Sequence, residues 1–150
     1  MYSTLFFIHS WWAYLVLLIL VIAAVNSLIG FFTKKEYGAN DFRISLFTLI
    51  VSHIQLLIGI VLYIVGILQN AKYFSAFSNL GMGEIMKDST LRLYLVEHPL
   101  MMILAVVFVT IGYSRHKKKL TSHPKFKSLA IFYTLGLVFL LSRIPWSAWF

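Results

Sequence analysis

The stretch that decides the fold is LFFIHSWWAYLVLLILVIAAVNSLIGFF, Leu5 to Phe32, which carries no Asp, Glu, Lys or Arg. A helix rises about 1.5 Å per residue and a bilayer core is about 30 Å thick, so roughly 20 apolar residues cross it. Working outward, three further runs meet the same requirement. Ile44 to Leu68 again has no formal charge; Leu91 to Tyr113 contains Glu97, His98 and Pro99; Leu129 to Phe150 contains Arg143 and Pro145. In hydrocarbon every backbone polar group must be paired, and these runs are too long and too continuously apolar for barrel strands. The expectation is an all-α integral membrane four-helix bundle. It forms one transmembrane domain, with spans at about 5–32, 44–68, 91–113 and 129–149.

Composition agrees. The chain is 60% hydrophobic and 12% charged, whereas soluble domains carry about 25% charged residues. A soluble enzyme, a disordered chain and a disulfide scaffold are excluded. With no cysteine, thiol chemistry, Fe–S clusters and covalent c-type haem are excluded as well. No Lys or Arg precedes the first span, whose apolar run is about twice a typical signal-peptide core, so it is expected to remain in the mature chain.

Charge placement orients the spans. The first loop holds Lys34, Lys35 and Arg43; the third holds Arg115, Lys117, Lys118, Lys119, Lys125 and Lys127, together nine of thirteen basic residues. The positive-inside rule places these loops in the cytoplasm and both termini outside, N-out and C-out in a bacterial inner membrane. The basic run Arg115 to Lys119 reads as a topology anchor near membrane lipids, not a nucleic-acid site. His116 and His123 within this region read as solvated. Trp11, Trp12, Trp146 and Trp149 fall at the outer ends of their spans as an interfacial belt. Tyr73, Phe74, Phe77 and Leu80 suggest a short amphipathic surface segment over about 71–80, and Ser89 or Thr90 an N-cap for the third span.

Ionisable side chains within spans are costly and mark candidate sites. His9, Glu97, His98 and Arg143 fall at one depth in the outer half; His53 lies near the midplane. Small residues share faces with them. His98, Ala105 and Gly112 recur every seven residues, as do Ser45, Ser52, Gly59 and Gly66 in the second span, with His53 at the edge of that arc. Close helix packing is the common explanation of such stripes. The alternative is b-type haem, which needs neutral imidazoles from facing helices, small residues beside the macrocycle and a cation for its propionates. His98 is the first expected ligand, with His53 and His9 competing for the second. Gly59 and Ala105 would make room, and Arg143 would meet a propionate. Glu97 would pair with Arg143 or relay protons to a quinone.

The segments Ile8-His9-Ser10 followed by Trp12, Ser52 to Gly59 (SHIQLLIG), Glu97 to Met102 (EHPLMM) and Ser142 to Trp146 (SRIPW) resemble a family of short four-span proteins of Bacteroidota commonly labelled cytochrome b-like. The likeness runs over nearly the whole chain and implies haem binding and electron transfer. One departure is that the family's first motif carries Arg before the tryptophan, where this chain has Trp11; Arg143 would then serve the propionates alone. Three readings remain open. They are a small cytochrome passing electrons between quinol and a partner, a non-catalytic accessory subunit of a larger membrane complex or homo-oligomer, and a metal-handling or transport protein using Glu97 and the histidines.

Overall fold

The computed structural model describes residues 1–149, and every regular element among them is helical. Four helices are long and apolar enough to cross a bilayer: α1 (Tyr2–Thr33), α2 (Ala39–Leu68), α3 (Ser89–Lys117) and α4 (Ser122–Ser142). Each packs on its chain neighbour, and α1 closes the ring on α4, with the α2–α3 seam the least extensive. Both termini lie at one end of this antiparallel bundle (the terminal end), and the loops after α1 and α3 lie at the other (the basic end). The outward faces are apolar: Leu18, Ile22 and Ile29 on α1, Ile50, Leu57 and Val61 on α2, and Leu100 and Val107 on α3 are all exposed. A soluble bundle would place polar side chains there. Such a surface suits lipid, and the chain is built as a multi-pass membrane protein.

Helix ends follow local chemistry. Lys34 adopts a left-handed φ of 54° and closes α1. The cap of α3 is Asp88, one residue before the expected Ser89 or Thr90; its Oδ1 accepts from the Thr90 and Leu91 N–H groups at 2.9 and 3.0 Å. A carboxylate serves both orphan amides at a positive helix end, which a hydroxyl does less well. The fourth span differs most from its expected range. It starts at Ser122 and stops at Ser142, and a short turn, Trp146–Trp149, follows. Pro145 supplies no N–H and disfavours helical backbone at the residue before it, so the helix cannot run through.

The connection between α2 and α3 folds over the terminal end. Residues 71–80 form a 3₁₀ turn, Lys72–Ser75, and a helical turn, Ala76–Asn79; a second turn, Met82–Lys87, follows. Phe74 and Ile85 pack with Leu95 of α3 in a small apolar cluster. The two ends of the bundle are filled differently. Toward the basic end, Leu20, Ala24, Val109, Leu129 and Tyr133 make the main core. Beside it sits His116, which is fully buried and not solvated as its basic sequence context suggests. It continues the Ala105, Val109, Gly112 stripe of α3, so it turns inward while its lysine neighbours turn out. Its Nδ1–H donates to the Tyr113 carbonyl, which leaves Nε2 to accept from the Tyr37 hydroxyl at 2.8 Å. Burial pushes the Tyr37 phenol above its ordinary pKa, keeping it a donor. The Tyr133 hydroxyl donates to the Ser45 carbonyl at 2.7 Å. This closed polar network joins α2, α3, α4 and the first loop.

Close approach at the basic end depends on Gly30. A Cβ there would lie about 2.5 Å from three atoms of the Phe126 ring, which has no exposure and nowhere to move. Gly30→Ala is therefore expected to lose about 1–3 kcal/mol by overpacking, outweighing the ~1 kcal/mol helix-propensity gain. Gly83→Ala, with nothing within 4 Å of the new methyl, should be neutral or better. Thermal unfolding in detergent, followed by circular dichroism, compares the two.

Candidate functional site

The terminal half of the bundle contains a cavity of about 1100 Å³. It lies just above the ~300–1,000 Å³ range in which small molecules and cofactors are held. Its wall is mainly aromatic and aliphatic, and His9, Ser52, Gln55, Gly59, His98 and Ala105 contribute to it. The position follows from the two prolines. Pro99 withholds the N–H that would bond the Leu95 carbonyl, just after a π-helical turn, Leu93–Glu97. The Tyr63 hydroxyl of α2 supplies the missing donor at 2.7 Å. Pro145 ends α4, and the Arg143 carbonyl left beyond that end accepts from His98 Nδ1 at 2.8 Å.

A carbonyl only accepts, so His98 Nδ1 carries the proton and Nε2 is left with its lone pair. No hydrogen bond reaches that nitrogen among the described residues. A backbone carbonyl holding one ring nitrogen while the other stays free is the usual support of a metal-binding histidine. His9 faces it from α1. The ring centroids are 6.2 Å apart and the ring planes cross at 88°. A metal held by two opposed imidazoles at about 2 Å per bond sets centroids roughly 6 Å apart, so the pair is spaced for one.

His9 is supported from α2. A Cβ at Gly59 would come within 3.2 Å of its Cε1, so the glycine makes room for the ring. Gln55 Nε2 donates to the His9 carbonyl at 2.9 Å, and Trp12 Nε1 to the Val51 carbonyl at 2.9 Å, pinning α1 to α2. Trp12 thus bridges α1 and α2. Three buried polar atoms around this seam, His9 Nδ1, Ser52 Oγ and Gln55 Oε1, have no hydrogen-bond partner. Buried polar atoms without partners cost about 1–3 kcal/mol each, so this seam gives up stability locally.

Of the remaining sequence candidates only Ala105 lines the cavity among the described residues. His53 is exposed and outside the cavity wall. Its Nδ1 donates to the Leu49 carbonyl at 2.8 Å, and Nε2 stands 3.3 Å from Thr110 Oγ1. Glu97 Oε1 meets Arg92 Nε at 2.7 Å and its Oε2 meets Arg143 Nε at 3.0 Å, so the pairing with Arg143 forms part of a triad. Arg143 contributes its carbonyl to the site, while its guanidinium lies on Glu97 and not in the wall. Ala105 lies in the wall and is buried. Among the described residues no group of three or more His, Cys, Asp or Glu side chains comes together to hold a metal ion. Two features lay beyond the sequence reading. Tyr63 has no spacing signal linking it to Pro99, and Lys72 belongs to a loop.

Fold and site together define a four-helix membrane-type protein with paired imidazoles beside a large apolar cavity. No protein-family model, curated protein or solved structure matches the chain. Removing the Tyr63 hydroxyl tests how the site is held. Tyr63→Phe leaves the Leu95 carbonyl unpaired and is expected to lower stability by about 1–2 kcal/mol. Hydrogen exchange should rise at the backbone amides of 93–98 before it rises at the basic end.

Proposed function

We propose that this chain is a small bacterial inner-membrane protein of cytochrome b-like type. It would hold one b-type haem between His9 and His98 and pass electrons between the quinol pool and a partner protein. The observation that carries this reading is the meeting of two imidazoles from separate spans at metal-ligating separation on the wall of a cofactor-sized cavity. Iron in a macrocycle asks the protein for only two axial ligands, so the lack of a three-ligand cluster does not weigh against it. The space Gly59 leaves for the His9 ring also fits such an occupant.

Haem ligated by two histidines supplies one-electron transfer. The chain supplies orientation and a dry surrounding. The Arg143 carbonyl keeps the His98 proton on Nδ1 and so presents Nε2. The Gln55 bond to the His9 backbone fixes the height of α1 against α2. Ala105, Val109 and Leu140 line the cavity with apolar surface, which would keep water from a bound group. The basic loops would face the cytoplasm and both termini the outside. Lipids, other membrane subunits or further copies of the chain would surround the apolar faces. A second reading, an accessory subunit without cofactor, draws on the closed Tyr37–His116–Ser45 network, which locks the helices without help from any ligand.

Absorption of the pure protein in mild detergent, oxidised and dithionite-reduced, decides between them. A Soret band with resolved α and β bands is expected. It should be lost in His98→Ala and in His9→Ala and kept in His53→Ala. A full spectrum in both ligand variants, or none in the native chain after added hemin, overturns the assignment.

A further inference from the structure

We infer that Lys72 is the residue that binds the carboxylates of the cavity's ligand, a deeper statement of the haem reading that depends on it. Among the described residues Lys72 is the one Lys or Arg in the cavity wall, and no Asp or Glu lies there. The chain has five acidic residues, and each is placed or engaged elsewhere. Glu97 is taken by Arg92 and Arg143, and Glu84 by Lys87. Asp88 caps α3, Asp41 pairs with Lys35 at the basic end, and Glu36 is exposed in the loop there. The Lys72 ammonium is instead 5.3 Å from the Phe6 ring centroid and 5.1 Å from that of Tyr73. Aromatic faces hold a cation but leave its charge unneutralised.

The backbone makes this placement deliberate. Lys72 has φ 46°, in the left-handed region that a lysine rarely adopts. Such strain persists where the surroundings impose it. Here Phe74, two residues on, packs against Gly66 so closely that a Cβ there would meet its ring at 2.5 Å. The chain after α2 is thereby turned back over the bundle. Phe6 precedes His9 by about one helical turn, roughly 4.5 Å of rise. The ammonium consequently stands at the cavity mouth, about one turn beyond the imidazoles. Arg143, the cation expected from the sequence, is engaged with Glu97 and lies outside the wall. The cavity thus has mainly apolar walls, two imidazoles among them and one unneutralised cation at its mouth. An apolar macrocycle with carboxylates at one edge matches that layout.

Titration of the purified full chain with hemin and with hemin dimethyl ester, in neutral detergent, tests the assignment by Soret absorbance. The native chain should prefer hemin over its ester by about fivefold, the range of a partly exposed charge pair. Lys72→Met should lose that preference and bind hemin about fivefold more weakly, with unchanged affinity for the ester and an unchanged melting profile. Lys72→Arg should retain the preference. Equal hemin affinity in native and Lys72→Met chains overturns this proposal alone, and retention of an anionic phospholipid that depends on Lys72 without any change in hemin affinity assigns the cation to a lipid headgroup and does the same. Failure of the native chain to bind either porphyrin overturns the haem reading and this inference together.

Discussion

The hydrogen bond from His98 Nδ1 to the Arg143 carbonyl joins the two places where the helices are interrupted. In lipid a broken helix exposes polar backbone atoms that no water can satisfy, so each break must be met by a side chain from a neighbouring element. Pro99 frees the Leu95 carbonyl, and Tyr63 meets it. Pro145 stops α4, and His98 meets the Arg143 carbonyl beyond that end. The second repair also fixes the proton on one imidazole nitrogen and leaves the other without a hydrogen-bond partner among the described residues. Backbone satisfaction and ligand presentation are thus the same contact.

The two halves of the bundle answer the same constraint differently, although Thr134 Oγ1 on α4 is also unpaired. At the basic end every polar group of the Tyr37, His116, Ser45 and Tyr133 network finds a partner, and apolar side chains fill the rest. Such a network is a stable lock because none of its members is left over. At the terminal end His9 Nδ1, Ser52 Oγ and Gln55 Oε1 remain buried and unpaired along the α1–α2 seam beside the cavity. Tolerating such atoms is sensible only where the basic-end core supplies enough stability to carry them.

How much of this was legible in the sequence depended on the kind of signal. The four spans were legible because hydrocarbon demands long uninterrupted apolar runs. Depth was also legible: residue counting sets His9 and His98 within roughly one helical turn of each other, and their ring centroids lie 6.2 Å apart. Helical phase was harder. His53 lies one residue from Ser52, and that single 100° step carries it out of the cavity wall, a difference that a blurred polar arc does not resolve. His116 was hidden by its lysine neighbours, although its spacing from Gly112 and Val109 pointed inward. Lys72 was not legible at all, since its position depends on a strained loop backbone set by Phe74 on Gly66. Asp88 was passed over because hydroxyls followed it directly.

Stripes of small residues in membrane helices usually serve close packing, and this bundle allows that use to be separated from another. At Gly136 an added Cβ would meet the Ala105 carbonyl and a Val109 methyl, both at 3.1 Å, so α4 rests directly on α3. At Gly59 the added atom would meet an imidazole, not a backbone, and the space there houses a side chain. If packing were the only demand at Gly59, a larger residue opposite a smaller one than His9 would fill the seam and leave no unpaired ring nitrogen. The combination of a glycine, a histidine and orphaned polar atoms surrenders stability locally. That is the pattern expected where a site, and not a helix contact, set the choice of residues.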